Sequence, residues 1–363
     1  MRKKQFSGQI AILFTLATFF LIFISCTRCV LPGSDIFSKK LVFMSYNTQN
    51  IFDDIDNGTE YPEFDPGGGE WGTSQYNTRL FNLSEVIRRS VSGGPDLIAL
   101  QEIENKRVAE DLVDGYLKGL GYNYIIVTDI DDSAIQLGFI SRLELGNIRI
   151  HQIIQDGKTI GRPILEVSIT TDSNLIHVFN NHWKSKLGGP EETEPARMAA
   201  AALLNRRILE LYLDDPMVDI IVLGDLNENI DEYNRNNGEY ITALLPIENK
   251  PSSSITGSIL VTDSREVVSD VSTAEPQPII LLFSPWGNYS EGSGSYVYNN
   301  SWETIDHVLI NSALFNGKGY NFKSFSVVKD DFLLNIQGAP LSWRTETGSG
   351  YSDHLPILLT IGK

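Results

Sequence analysis

Cysteine is nearly missing from this chain: its 363 residues include only Cys26 and Cys29, both close to the start. Nothing downstream can form a disulfide, act as a thiolate nucleophile or build a cysteine-ligated zinc site. Positive charge is short too. Lys plus Arg number 29 against 46 Asp plus Glu, a formal net charge of −17. Proteins that coat nucleic acid electrostatically carry the opposite sign, so that class is disfavoured. A nuclease is still allowed, because a cation and a few local Lys or Arg can manage a few phosphates. Internal repeats, low-complexity tracts and a dividing linker are also missing. What remains, 42% hydrophobic and 21% charged, is enough to bury one large core.

The one long apolar run comes first. Arg2, Lys3 and Lys4 precede Ile10 to Ile24, which is apolar apart from Thr15 and Thr18. A basic start before an apolar stretch of this length reads as an export signal. Phe23-Ile24-Ser25-Cys26 resembles a relaxed bacterial lipobox, in which the cysteine becomes the lipidated first residue. An uncleaved anchor and plain secretion are the alternatives. The expected organisation is a signal over 1–25, a tether over 26–40 and one domain over 41–363. Cleavage before Cys26 would remove three basic residues and no acid, leaving a still more acidic domain.

Strand patterns are expected at Leu41 to Asn47, Asp96 to Glu102, Tyr124 to Thr128, Leu137 to Ser141, Ile164 to Ile169 and Leu175 to Asn180. Others fall at Asp219 to Leu223, Ile305 to Ile310 and Leu355 to Ile361. Leu80, Leu83 and Ile87 recur at helical spacing, as do Val108, Leu112, Tyr116 and Leu120. A longer helix is expected over Pro195 to Leu213. Residues 230–300 read as loop-rich, with turns at Ser252 to Ser254 and Ser290 to Ser295. Strands interleaved with a few helices imply an α/β (α+β) domain of two packed mixed sheets covered by helices.

One arrangement recurs. An apolar run ends on an acid, Asn or His, at Asn47, Glu102, His182, Asp225 with Asn227, Asp306 with His307, and Asp353 with His354. Each alone is an ordinary strand-end turn former. Six together point to one rim, where strand termini at one edge of a sandwich converge. Asp225 and Asn227, two apart, are expected to project from an extended strand in the same direction.

Ser45-Tyr46-Asn47-Thr48-Gln49-Asn50, Leu100-Gln101-Glu102, Asn181-His182-Trp183-Lys184-Ser185-Lys186, Gly224-Asp225-Leu226-Asn227, Ile305-Asp306-His307-Val308 and Ser352-Asp353-His354-Leu355-Pro356 resemble, in order, the motifs of the endonuclease/exonuclease/phosphatase superfamily. The resemblance spans residues 41–361 and implies a DNase I-like four-layer sandwich. It implies Glu102 as the principal metal-ligating carboxylate, Asn47 as an amide at the same cation, and Asp353 completing or orienting that site. Mg²⁺ suits such an all-oxygen site, with Mn²⁺ as the other option. By the same resemblance His354 is catalytic and oriented by Asp306. Asp225 and Asn227 position the attacking water and bond the phosphoryl oxygens, and His182 serves a non-bridging oxygen or the leaving group. Between Asp225 and His354 as general base, His354 is favoured.

Other residues carry less. His151, His177 and His307 are assigned to structure. Lys184, Lys186 and Arg197 are as readily a solvated face as a phosphate grip, and Arg142 resembles a structural family position. Trp71, Trp286 and Trp302 suit packing better than a lipid-contacting rim. The resulting expectation is an exported, metal-dependent phosphodiesterase acting on nucleic acid. A sphingomyelinase acting on sphingolipid is the alternative, and a non-catalytic binding module is disfavoured by the His–Asp pair. Attachment to the membrane would come through the N-terminal lipid or anchor, and no obligate protein partner is implied.

Overall fold

The computed structural model describes residues 39–131, 133–155, 157–172, 174–250, 257–271, 280–288 and 294–363. The expected signal, both cysteines, the tether as far as residue 38 and the serines at 252–254, 290 and 293 lie outside them.

The unit from Lys40 to Lys363 opens with β1 (Lys40–Ile51), α1 (Thr73–Ser90), β2 (Leu97–Ile103), α2 (Lys106–Asp111), β3 (Tyr124–Val127), β4 (Gln136–Ser141) and β5 (Leu145–His151). The hairpin of β6 (Ile154–Gln155) and β7 (Lys158–Thr159) leads to β8 (Ile164–Thr171), β9 (Asn174–His182), α3 (Pro190–Asp214) and β10 (Asp219–Asp225). Short pieces follow: α4 (Glu232–Arg235), β11 (Leu244–Pro246), β12 (Ile259–Thr262), α5 (Arg265–Val271) and β13 (Leu281–Phe283). The hairpin of β14 (Tyr296–Tyr298) and β15 (Ser301–Glu303), then β16 (Asp306–Ile310), β17 (Asn321–Val327) and β18 (Ile357–Gly362), complete it.

Two mixed sheets result, of six strands (β17-β18-β1-β2-β4-β3) and eight (β11-β12-β13-β16-β10-β9-β8-β5). The inner faces share one core, in which Phe43, Ala99 and Phe139 of the first sheet meet Val178, Ile221 and Val308 of the second. The outer face of the first sheet packs Met44, Ile98 and Ile140 under Leu80, Leu83 and Ile87 of α1. The outer face of the second packs Phe179, Ile220 and Val222 under Ala201, Leu204 and Ile208 of α3. Four layers are therefore needed to cover both faces of strands that are apolar on both sides. Each Leu, Ile, Val, Phe or Met side chain so buried contributes about 1.5–3 kcal/mol.

Two helices depart from expectation. α3 starts five residues early, because Gly189 with φ 118° and Pro190 at the first position form a natural helix start. The helix expected through Leu120 gives up its α form at Asp111 and finishes as a π turn over Leu112–Tyr116. The loop-rich stretch holds β11, β12 and β13, three- and four-residue strands that extend the edge of the larger sheet.

Candidate active site

In each sheet two parallel strands carry an antiparallel neighbour: β1 and β2 with β18, and β9 and β10 with β16. Parallel strands deliver their C-terminal ends to one rim, and an antiparallel neighbour delivers its N-terminal end to that same rim. Asn47, Glu102, His182 and Asp225 thus arrive on strand exits. Asp306 opens β16, and Asp353 and His354 precede β18. The expectation that all six motifs end a strand is corrected for these last two, while their meeting place is as expected. Register sets Asp225 level with His182 on one side and Asp306 on the other.

Backbone irregularities aim the groups. Glu102 has φ 63° and sits at a register break in the pairing of β2 with both neighbours. This bulge lifts its carboxylate onto the rim, while Gln101 points between the sheets and donates to Asn180 Oδ1 at 2.6 Å. Asn180 in turn donates to the carbonyls of Leu100 and Gly138, each at 3.0 Å, strapping the two sheets together beneath the site. Asn227 is not on an extended strand as expected. It adopts φ 52°, and its N–H donates to Asp225 Oδ1 at 2.8 Å in a tight Asx turn. Gly224, at φ 133°, passes so close to β9 that a Cβ would lie 2.1 Å from the Asn181 carbonyl.

These elements wall a cleft of about 660 Å³ that includes Glu102, His182, Asp225, Asn227, Asp353 and His354. His354 Nδ1 lies 2.8 Å from Asp306 Oδ2, and its Nε2 stands 3.9 Å from Asp225 Oδ2 and 4.0 Å from Asp353 Oδ1. Burial alone would depress the imidazole, but Asp306, Asp353 and Asp225 together hold it well above the usual histidine range. Burial pushes Asp225 up to about 7. Glu102 is also raised, by burial and by the nearby charge of Asp353. His182 is driven well below its ordinary value by burial, with Arg162 and His354 adding to the effect. Its Nε2 faces Glu102 Oε1 at 3.5 Å and Asp225 Oδ2 at 3.7 Å.

A model of the Endonuclease/Exonuclease/phosphatase family matches residues 42–249, more than half of the chain. The chain belongs to this family. It carries the family's phosphoesterase fold, and the family's enzymes depend on divalent metal ions. TDP2 from Caenorhabditis elegans, in truncated form, superposes with a TM-score of 0.52 at 13% identity, over 89% of this chain and 98% of that one. An endonuclease/exonuclease/phosphatase family protein from Bacteroides thetaiotaomicron gives 0.52 at 15%, over 90% and 98%. TDP2 from D. rerio, solved with a single strand DNA product, gives 0.51 at 13%, over 90% and 100%. No curated protein matches the sequence.

Against the family's metal requirement, the donor chemistry fits a hard cation. Glu102, Asp225, Asp306 and Asp353 lie close together, and a divalent ion would relieve the elevation that burial and neighbouring carboxylates impose on Glu102 and Asp225. Asp225, Asp306 and His354 offer ligand atoms within 4.8 Å of one another, but His354 Nδ1 and Asp306 Oδ2 are engaged with each other. Glu102 and Asp353 are the better pair. Asn47, expected as an amide at the cation, has its Nδ2 donating to Glu102 Oε1 at 3.1 Å and Asp225 Oδ2 at 3.0 Å, and its Oδ1 accepts from Gln49 N–H. In this arrangement Asn47 orients Glu102.

Several residues play parts that motif reading did not supply. Arg162, before β8, lines the cleft and donates to the Trp183 carbonyl at 3.2 Å. Buried Arg79 of α1 binds the carbonyls of Thr48, Gln49 and Tyr351, tying the Asn47 and Asp353 loops together. Neither has a local sequence signal, since their partners are backbone atoms far along the chain. Of the expected phosphate grips, Lys186 reaches the cleft but pairs with Glu232 at 2.6 Å. Arg197 is fully buried between Glu194 and Glu228, and Arg142 is spent on the carbonyls of Gly93, Gly94 and Leu120. His151 and His177 share Glu166 with Arg207, and His307 bonds the Glu228 carbonyl.

Proposed function

We propose that this protein is an exported, metal-dependent nuclease that hydrolyses phosphodiesters in the Asp225–His354 cleft. The observation that carries the reading is the meeting of His354, Asp306, Asp225, His182 and Glu102 on one wall, from motifs that span some 250 residues.

Water attack on phosphorus needs a proton acceptor on one side and donors for the growing negative charge. Asp225, with an affinity for protons that burial raises to about 7, suits the acceptor. His354, kept cationic by its three carboxylates, suits a donor to a phosphoryl oxygen. This assignment exchanges the base expected from sequence for the aspartate beside it. Neutral His182 presents Nε2–H to the same space, and Asn227 lines the cleft beside it with its Nδ2 donating one hydrogen to the Trp183 carbonyl at 3.2 Å and keeping a second. A divalent cation held by Glu102 and Asp353 would supply Lewis-acid stabilisation of the phosphoryl charge.

Nucleic acid is preferred over sphingolipid because the tryptophans that a lipid surface would need are used elsewhere. Trp71 and Trp286 are each 3% exposed, and Trp302 is half-buried beneath the Lys329 ammonium. The D. rerio structure adds a family fold that holds a DNA product. Export and membrane attachment rest on the basic start and the apolar run from Ile10 to Ile24; no helix among the described residues is long and apolar enough to cross a membrane.

Full-length protein should be assayed with Mg²⁺ or EDTA against plasmid DNA and sphingomyelin vesicles in parallel. Mg²⁺-dependent loss of DNA alone supports the nuclease. Release of phosphocholine alone would replace it with the lipid reading.

A further inference from the structure

Beyond the family motifs, one hydroxyl is built into the His–Asp pair. Ser295 is completely buried, and its Oγ donates to Asp306 Oδ2 at 2.5 Å, the same oxygen that His354 Nδ1 reaches at 2.8 Å. It enters from the β14–β15 hairpin, a separate piece of chain whose next residue, Tyr296, lays its ring on the His354 imidazole at 4.7 Å between centroids. The hairpin is fastened on both sides by backbone. Ser295 N–H donates to the Glu303 carbonyl at 3.0 Å, and Leu355 N–H donates to the Ser295 carbonyl at 2.7 Å. Gly294 makes this closure possible, since a Cβ there would sit 2.3 Å from the Glu303 carbonyl.

We propose that Ser295 is a positioning residue for hydrolysis: its hydroxyl pins the Asp306 carboxylate, and with it the His354 ring held under Tyr296. The Asp306 main chain is held separately, by its pairing with Asp225 and by its carbonyl, which accepts from Trp286 Nε1 at 2.8 Å. Asp306 Oδ1 is buried and accepts no hydrogen bond. Both known contacts therefore converge on Oδ2, and without Ser295 the carboxylate can rotate about its χ2 torsion and carry the imidazole away from Asp225. A bond to a charged oxygen in a buried site is the kind that fixes a rotamer. The inference rests on the phosphodiesterase reading of the cleft, and the following experiment separates the two.

Wild type, Ser295→Ala, His354→Ala and the double variant are compared in the Mg²⁺-dependent nuclease assay, with melting temperature measured for each. Ser295→Ala leaves both backbone bonds of the hairpin in place. It should lower kcat roughly tenfold, the order expected for one charge-assisted hydrogen bond, with KM unchanged. On the His354→Ala background the same change should have no further effect, because Ser295 acts only through that ring. If alanine lowers the melting temperature, Ser295→Cys keeps the volume while being a weak donor and replaces it. An unchanged kcat, or an equal loss with and without His354, overturns the positioning role. Full activity in His354→Ala would instead overturn the reading of the cleft itself.

Discussion

Asp225 and Asp306 face each other as paired residues of two antiparallel strands, and His354 stands between their carboxylates, 2.8 Å from one and 3.9 Å from the other. Two acids this close would repel each other if both were ionised and nothing positive lay between them. The imidazolium answers that need. Burial, with the charge of Asp306 adding to it, lifts Asp225 to about 7 against the pull of the imidazolium, while Asp306 anchors the ring.

Replacing the ring should therefore expose its chemical share. His354→Ala is expected to reduce kcat by ~10²–10⁴-fold, with a circular dichroism spectrum like that of the wild type. Wild-type turnover in a folded variant would remove His354 from the mechanism.

Cation binding can be read without turnover. Mg²⁺ should raise the melting temperature of the wild type, by the equivalent of about 2.7 kcal/mol at a concentration 100 times Kd. In Glu102→Gln that rise should vanish, while the metal-free protein melts no lower, since burial and Asp353 already penalise the charge at this position. A Mg²⁺ shift of equal size in both proteins would place the ion elsewhere.

Arg162 lines the cleft beside His182 and Glu102, on which its charge acts. Arg162→Ala should raise KM for DNA about tenfold and leave kcat within about twofold, the pattern of lost uniform binding. Steady-state kinetics decide it, and an unchanged KM would make the arginine purely structural.

Asp219, at the start of β10, offers a pH test away from the cleft. Burial pushes its carboxyl up to about 7, against an ordinary value of 3.8, with Asp215 adding to the rise. The folded form therefore binds the proton more tightly than the unfolded one, and stability falls as pH climbs from about 4 through about 7. Asp219→Asn should melt roughly 2–4 °C above wild type at pH 8 and no higher at pH 4. A gain of the same size at both values would assign the effect to packing.

Gly224 of β10 lies against Asn181 of the parallel strand β9 under the site. Its φ of 133° and the 2.1 Å approach of any Cβ to the Asn181 carbonyl leave a side chain no room. Gly224→Ala should cost about 3 kcal/mol or more, seen as a lowered denaturation midpoint in urea. A midpoint equal to that of the wild type would show that β9 and β10 can part without penalty.

Much of this architecture was legible in the chain. Short, β-branched apolar runs such as Ile220 to Leu223 fit strands covered on both faces, so two sheets under helices follow from local pattern. The motif order named Glu102, His182, Asp225, Asp306 and His354 because each sits within a residue or two of an apolar strand, where pattern is strongest. Strands β11, β12 and β13 escaped notice because three or four residues are too few to show a period, and they are held only by their neighbours' hydrogen bonds. The helix past Asp111 failed for the reverse reason, since its spacing continues where the backbone bonding does not.

Tertiary structure alone decided how the rim is assembled. Local pattern set Asp306 and His354 at the starts of the runs Ile305 to Ile310 and Leu355 to Ile361, but only antiparallel pairing returns those starts to the exits of β1, β2, β9 and β10. Nor can sequence separation reveal that Arg79 grips carbonyls near residues 49 and 351, or that Ser295 shares an oxygen with a histidine 59 positions on. The chain by itself determined which side chains could do chemistry, because residue type and periodicity are local properties. Their distances and their charges came from burial and long-range contact, which exist only once the sheets have closed.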